Sequence, residues 1–153
     1  MTIHWREAMS VDGALIDEDH RHLIDIINTF ERQASGFTEA DEVLEILHVL
    51  KFYTRTHFRR EEHLQGVVDF PFKDAHGKEH ADIIGKLNAV IEETRSCEGR
   101  ALMGLTANIS LLLRDWILGH VLKSDLRMKE YVDRMERELS QMERLDEIPV
   151  GVE

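Results

Sequence analysis

Apolar residues recur along most of the chain at the 3.6-residue spacing of an amphipathic helix. The first such stretch follows Asp17 and carries an apolar stripe at Leu23, Ile24, Ile27 and Phe30. Gly36 ends this stretch, and Pro71 marks the turn after the second, because proline disfavours helix in the residue before it. The pattern predicts four helices, over about residues 17–34, 38–66, 72–95 and from 102 onward.

Local signals indicate where the second helix starts and how far the fourth helix extends. Thr38 can cap the second helix, and Asp41 three residues later gives a short version of the capping box. The fourth helix has no stop signal near Asp125, because apolar residues continue at alternating spacings of four and three. They are Met128, Val132, Met135, Leu139 and Met142. This heptad seam predicts that the fourth helix extends far beyond the bundle.

Four long helices with short connections predict an all-α fold, an up-down-up-down antiparallel four-helix bundle. A chain of 153 residues fits one domain. Its expected parts are an amino-terminal arm (1–15), the bundle core (16–127), an extension of the fourth helix (128–145) and a tail (146–153). The arm lacks a helical period but is too apolar to be solvated, so we expect it to lie against the bundle, with a turn at Asp12-Gly13.

The extension of the fourth helix has two interpretations. In the interpretation that we favour, its methionine-rich face packs on the amino-terminal arm or simply lengthens the bundle. Alternatively, the face contacts a partner protein or a second copy of the chain, since a heptad seam with adaptable methionine side chains suits such a surface.

Charge and composition exclude several classes of function. Lys and Arg number 19 against 30 Asp and Glu, a formal net charge of -11 that repels nucleic acid and anionic lipid. The single cysteine, Cys97, can form no internal disulfide, which suits a reducing cytosol. The amino terminus lacks a signal-peptide pattern, and no apolar run approaches the ~20 residues of a membrane span. We expect a cytoplasmic protein that binds neither nucleic acid nor membrane.

Two pairs of candidate metal ligands face each other across the predicted turn between the second and third helices. His57 and Glu61 lie near the end of one helix, and His76 and His80 open the next. The i, i+4 spacing stacks each pair on one helix face, as in bundle-core metal sites. The alternatives are an ion network between Glu61 and the neighbouring arginines, and a polar first turn for the third helix.

Three further residues fall at the same level of the predicted bundle: His20, His120 and Asp125. His20 shares the core stripe of the first helix, whereas His22 is expected to face water. His120 follows an apolar face, so it is either a core histidine or a third imidazole. Asp125 lies about 140° round the helix from His120, so both reach one cluster only if it lies between them or if a π-type bulge shortens the angle. The remaining histidines are assigned to solvent: His4, His48 and His63.

The ordered pattern of these residues resembles that of bacterial hemerythrins. The segments that carry the resemblance are residues 16–20, 57–62, 76–80 and 120–125, together with an arm that contains Trp5. The resemblance extends from residue 1 to about residue 130. The sequence departs from it at Gln65, where many relatives carry Met, and in the extension of the fourth helix.

The resemblance implies a non-haem centre of two iron ions bridged by an oxo or hydroxo group. By position in the family pattern, His76, His80 and His120 hold iron 1, while His20 and His57 hold iron 2. Glu61 and Asp125 bridge the two irons. Iron 2 then has an open position, where family members bind dioxygen end-on.

The resemblance also implies an apolar pocket around the open iron. The matching positions are Leu23, Phe58, Trp116, Ile117 and Val121. Apolar residues at helical spacing are more often ordinary core residues, which is the alternative for each of them.

The function implied is reversible dioxygen binding for storage, delivery or sensing, and not enzymatic catalysis. The same ligands would also permit a di-iron oxidase or peroxidase-like enzyme that acts on O2, peroxide or nitric oxide. A third alternative is a sensor module whose redox state is read by a partner through the long fourth helix.

Overall fold

The computed structural model describes residues 2–146 of the chain. Within them lie five α-helices: α1 (Leu15–Gln33), α2 (Ala40–Val67), α3 (Lys73–Arg95), α4 (Gly99–Lys123) and α5 (Lys129–Asp146). Helices α1 to α4 pack in sequence order, and α1 also contacts α4, which closes the ring. The all-α four-helix bundle predicted from the sequence is confirmed. The division of the chain into arm, core, extension and tail stays a prediction, and residues 147–153 of the tail lie outside the described part.

The bundle core consists of the inward stripes that the apolar periodicity predicts. Its fully buried members on all four helices include Leu23, Ile27, Phe30, Leu47, Leu50, Leu87, Leu102, Ile109 and Leu113. Burying one such side chain contributes ~1.5–3 kcal/mol. This apolar core fills the bundle on one side of the histidines and fixes the helix spacing there.

The start of α2 differs from the predicted cap. Glu42, and not Asp41, reaches back to the chain before the helix: its Oε2 accepts hydrogen bonds from the backbone N–H groups of Thr38 (2.8 Å) and Glu39 (3.0 Å). Glu39 is the N-cap residue and Ala40 the first helical residue. The prediction that Thr38 caps α2 with Asp41 is wrong, because the longer side chain of Glu42 binds both free N–H groups.

The predicted continuous fourth helix is also interrupted. Helix α4 ends at Lys123, a 3-10 turn spans Asp125–Met128, and α5 begins at Lys129. The Ser124 N–H still donates to the His120 carbonyl (2.7 Å), but the next turn tightens, with the Arg127 N–H donating to Ser124 (3.2 Å). The chain leaves the α-helical path between His120 and Asp125, so the 140° separation of an ideal helix does not apply to these two residues.

The heptad seam of the extension is split between two environments. Met128 and Val132 are buried, and Met128 packs with Val11 of the arm and with Phe70. Farther along α5, Leu139 is 52% exposed and Met142 is 62% exposed. The first part of the seam therefore packs on the arm, as one of the two interpretations expects, and the second part faces solvent.

The arm is tied to α1 by polar as well as apolar contacts. Ile3 is buried, and its backbone N–H and carbonyl both bond to the Asn28 side chain at 2.8 Å. The buried carboxylate of Asp17 accepts the hydroxyl of Ser10 (2.6 Å) and the N–H groups of Val11 (2.7 Å) and Gly13 (3.0 Å). Gly13 has a φ of 64°, which favours glycine in this turn.

Among the described residues, the stretch Gly99–Arg144, which combines α4, the 3-10 turn and most of α5, contains an 18-residue window with a mean hydropathy of 1.3 and by length and composition alone could cross a membrane. Core helices of soluble proteins meet the same criterion. In α4 the inward-facing residues Leu102, Leu105, Ile109, Leu113, Ile117 and Val121 are buried inside the bundle, whereas Met103 and Leu111 are each 62% exposed.

The Asp17 contacts predict that the arm depends on this carboxylate. Burial raises the pKa of Asp17, but the hydrogen bonds from Ser10, Val11, Asp12 and Gly13 outweigh it and hold the pKa below 3.8. The stabilisation is therefore present above that pH and is lost as the pH falls through the folded-state pKa. Asp17→Asn is expected to lower the free energy of unfolding at pH 7 by ~1.5–3 kcal/mol.

Urea denaturation of the iron-free protein measures this effect. Asp25→Asn, an exposed position on the same helix, is the matched control and is expected to change the free energy by less than ~0.5 kcal/mol. Equal effects of the two substitutions would contradict the assigned role of Asp17.

Candidate metal centre

The structure brings all seven candidate ligands together at one level of the bundle. His20 comes from α1, His57 and Glu61 from α2, His76 and His80 from α3, and His120 from α4; Asp125 comes from the 3-10 turn. Each is at most 6% exposed, and Glu61, His20 and Asp125 are fully enclosed. All four helices therefore contribute a polar side chain to one buried cluster.

Three histidines surround one side of this cluster. His76 Nε2 lies 3.3 Å from His120 Nε2, and His80 Nε2 lies 3.1 Å from Glu61 Oε2. Asp125 Oδ1 lies 3.0 Å from His76 Nε2 and 3.1 Å from His120 Nε2. The donor atoms of these five residues all lie within 4.8 Å of one another, a spacing that can hold a metal ion.

Two histidines form the other side and share both carboxylates with the first. His20 Nε2 is 3.1 Å from Asp125 Oδ2, and both His20 and His57 approach Glu61 Oε1, at 3.6 and 3.5 Å. These four residues form a second group with metal-ligand spacing. Each carboxylate thus presents one oxygen to the three-histidine group and its other oxygen to the two-histidine group.

Several buried polar atoms of the cluster lack a hydrogen-bond partner. They are both oxygens of Asp125, Oε1 of Glu61, both ring nitrogens of His20 and Nδ1 of His57. A buried carboxylate oxygen without a partner is costly, and cations bound between the two groups would satisfy these oxygens together with His20 Nε2. Imidazole nitrogens and carboxylate oxygens suit iron and neighbouring transition metals. The residues present therefore fit a pair of metal ions.

The cluster shifts the pKa values of its members in the iron-free chain. Burial lowers the pKa of His20, but the close carboxylates of Asp125 and Glu61 outweigh this and raise it to about 10. Burial and the neighbouring Asp125 raise the pKa of Glu61, yet His57, His20 and His80 hold it at about 2. Burial lowers the pKa of His120. These shifts favour the ionised form of both carboxylates and the protonated form of His20 in the metal-free chain.

Three carboxylates outside the cluster contact the far nitrogens of its histidines. Glu62 Oε1 lies 3.0 Å from His80 Nδ1, and Glu79 Oε2 lies 3.3 Å from His120 Nδ1. Asp19 Oδ2 lies 3.6 Å from His57 Nδ1. Sequence reasoning missed these three contacts. The available signal was that Asp19, Glu62 and Glu79 each directly flank a candidate ligand.

The alternative ion network for Glu61 is not observed among the described residues. Arg60 pairs with Asp19 on α1, and Glu61 is surrounded by histidines. His4, His22, His48 and His63 are exposed, in agreement with the sequence. His22 nevertheless packs against the ring of Tyr53, 4.3 Å between centroids.

The residues of the predicted dioxygen pocket occupy two environments. Leu23, Ile117 and Val121 are buried in the bundle core. Phe58 stacks on the His80 ring, 3.7 Å between centroids and 6° between planes, and its edge also meets Trp116 at 6.4 Å. Phe58 therefore covers the three-histidine side, and the assignment of all five residues to a dioxygen pocket stays a prediction.

Gln65 and Thr54 are two buried polar residues of α2 for which sequence reasoning proposed no partner. Gln65 Nε2 lies 3.3 Å from Met128 Sδ, while its Oε1 has no hydrogen-bond partner. The Thr54 hydroxyl is also buried without a partner. Gln65 lies on the same inward face of α2 as Glu61, and it links α2 to Met128 in the turn that follows α4.

Comparison with known proteins agrees with this geometry. A family model described as the hemerythrin HHE cation binding domain matches residues 12–132. A bacteriohemerythrin of Stenotrophomonas maltophilia is 25% identical over 140 residues, which are 92% of this chain and 86% of that protein. One from Campylobacter jejuni is 24% identical over 125 residues, 82% of this chain and 91% of that protein.

The fold is likewise similar to solved structures. A crystal structure of a hemerythrin variant superposes with a TM-score of 0.71 at 21% identity and covers 86% of this chain and 98% of that one. A second variant gives a TM-score of 0.70. Because the family model spans α1 to α4 and reaches into α5, the chain belongs to the hemerythrin family.

Proposed function

We propose that this protein binds dioxygen reversibly at a non-haem di-iron centre. The observation that carries the proposal is the shared position of the two carboxylates. Glu61 and Asp125 each direct one oxygen to the three-histidine group and the other to the two-histidine group. Carboxylates that divide their oxygens in this way suit two metal ions held side by side.

The proposed ligand roles follow this division. His76, His80 and His120 hold iron 1, His20 and His57 hold iron 2, and Glu61 and Asp125 bridge the pair. Iron 2 has one histidine fewer, which makes it the proposed site for O2. Two irons held by these residues would supply the electrons for O2 binding, and the chain supplies the ligand set and its enclosure.

The charges of the site favour binding over oxidation of a substrate. Two Fe(II) ions bring four positive charges, and two carboxylates with a bridging hydroxide return three, since the imidazoles are neutral as ligands. A site richer in carboxylates would be more anionic and would stabilise high-valent iron better. Burial keeps water from the ligands, which supports reversible binding.

The biological use that we propose is oxygen storage, delivery or sensing in the cytoplasm. The fold needs no disulfide, because Cys97 is the only cysteine and is free. Sensing has one specific observation in its favour: the outer half of α5 exposes Leu139 and Met142, where a second copy or a partner could dock. A di-iron oxidase or peroxidase remains the alternative of a different class.

Iron loading tests the proposal directly. The protein loaded anaerobically with Fe(II) is expected to bind two irons per chain and to develop a visible charge-transfer band in air that disappears on deoxygenation.

Glu61→Ala is expected to lose iron from both positions, because Glu61 serves both groups. His48→Gln, an exposed position on α2, is the matched control. Two irons retained by the Glu61 variant would contradict the bridging role, and rapid irreversible oxidation with peroxide consumption would favour the enzyme.

Metal binding is expected to release protons. His20 has a pKa of about 10 in the iron-free chain, so it is protonated at pH 8 and must lose that proton to become a ligand. Calorimetric titration with Fe(II) in two buffers of different ionisation enthalpy measures the number released. His20→Gln is expected to release fewer protons than the parent, and His63→Gln the same number. Equal release from all three proteins would exclude the proposed role of His20.

Light scattering tests the docking surface on α5. If Leu139 and Met142 contact a second copy, the full chain is expected to elute as a dimer and Leu139→Glu with Met142→Glu as a monomer. Val49→Glu, another exposed apolar position, is the control. Monomeric masses for all three proteins would exclude self-association through this surface.

A further inference from the structure

The three carboxylates outside the metal cluster are arranged in a regular order around the bundle. Asp19 of α1 approaches His57 of α2, and Glu62 of α2 approaches His80 of α3. Glu79 of α3 continues the order by approaching the α4 histidine, His120. Each carboxylate therefore contacts a histidine on the helix that follows its own helix in the chain.

Each of these carboxylates is also the sequence neighbour of a cluster residue on its own helix. Asp19 precedes His20, Glu62 follows Glu61, and Glu79 precedes His80. A residue next to an inward-facing ligand lies about 100° round the helix, at the edge of the interface with the adjacent helix. The carboxylates therefore sit where they reach the outer nitrogen of the next helix's histidine without entering the cluster.

Local contacts hold two of the three carboxylates in place. Asp19 is 13% exposed and pairs with Arg60, and Glu79 accepts a hydrogen bond from the Ser124 hydroxyl. Glu62 is 50% exposed but lies at full hydrogen-bond distance from its histidine. Asp19 Oδ2 and His57 Nδ1 are both buried and have no other hydrogen-bond partner, so each is the available partner of the other.

We propose that Asp19, Glu62 and Glu79 are positioning residues for the iron ligands. Each accepts a hydrogen bond from the Nδ1–H group of its histidine, which leaves Nε2 unprotonated and directed at the metal. Partners of this kind set the tautomer and ring orientation of a metal-bound histidine and raise its basicity. The inference rests on the proposed iron site and adds to it the residues that orient three of its five histidines.

The arrangement divides the three residues between the two irons. Asp19 acts on His57, a proposed ligand of iron 2, whereas Glu62 and Glu79 act on His80 and His120, proposed ligands of iron 1. The two groups of substitutions are therefore expected to affect different irons. A general loss of stability would not distinguish the irons in this way.

The experiment measures the loss of Fe(II) from the anaerobically loaded protein to a coloured chelator, with Mössbauer spectroscopy to follow each iron. Asp19→Ala is expected to weaken iron 2 by ~10–100-fold, and Glu62→Ala or Glu79→Ala to weaken iron 1 by a similar factor. Asp19→Asn, Glu62→Gln and Glu79→Gln are expected to recover most of the loss, because an amide oxygen still accepts from Nδ1–H.

Asp25→Ala on α1, Glu45→Ala on α2 and Asp82→Ala on α3 are the matched controls, since each removes an exposed carboxylate from the helix of one tested residue. All three are expected to release iron at the parent rate. Circular dichroism of the iron-free variants establishes that each is folded before loading. These controls separate a positioning role from the loss of surface charge.

Three results would overturn the inference: parent-like iron release by the alanine variants, equal losses from alanine and amide variants, or equal effects of all variants on both irons. If the parent protein itself holds no iron, the proposed function fails instead. The two failures are therefore distinguishable from the parent measurement alone.

Discussion

Two buried carboxylates set the central constraint on this structure. Glu61 and Asp125 are fully enclosed and ionised, and five histidines from four helices surround them. An ionised carboxylate in a protein interior needs close positive or hydrogen-bonding partners. In the iron-free chain the His20 proton meets part of this need. The positions of the helix ends follow from bringing enough partners to these two side chains.

The break between α4 and α5 shows how this constraint acts on the backbone. A continuous helix would turn Asp125 away from His120, yet the two side chains meet at 3.1 Å. The 3-10 turn at Asp125–Met128 makes this approach possible and also directs Met128 into the apolar contact with Val11 and Phe70. The arm and the start of α5 thus close the bundle beside the cluster, where Gln65 adds a polar contact to Met128.

The fold and the two candidate ligand pairs of α2 and α3 could be predicted because both depend on local spacing, whereas the ligand roles of His20, His120 and Asp125 were implied by the resemblance to the hemerythrin family. The inward stripe of α1 and the i, i+4 pairs of α2 and α3 follow from helix geometry alone.

The break after Lys123 could not be predicted, because Met128 and Val132 keep the apolar spacing that a continuous helix would also show. The contacts of Glu62 and Glu79 were missed for another reason: their side chains are about half exposed, so their polarity indicates only a solvated helix face. The cap of α2 was misplaced because three acidic residues, Glu39, Asp41 and Glu42, follow Thr38 within four positions, and only the backbone geometry selects Glu39 as the N-cap and Glu42 as its partner.

The position of Asp125 after α4 has a consequence for biosynthesis. During translation the histidines of α1, α2 and α3 and the first carboxylate leave the ribosome early, and the second carboxylate leaves after His120. A nascent chain therefore carries an incomplete and weaker set of donors until the bundle itself is nearly complete. The complete donor set is therefore available only once the closing turn can dock against the arm.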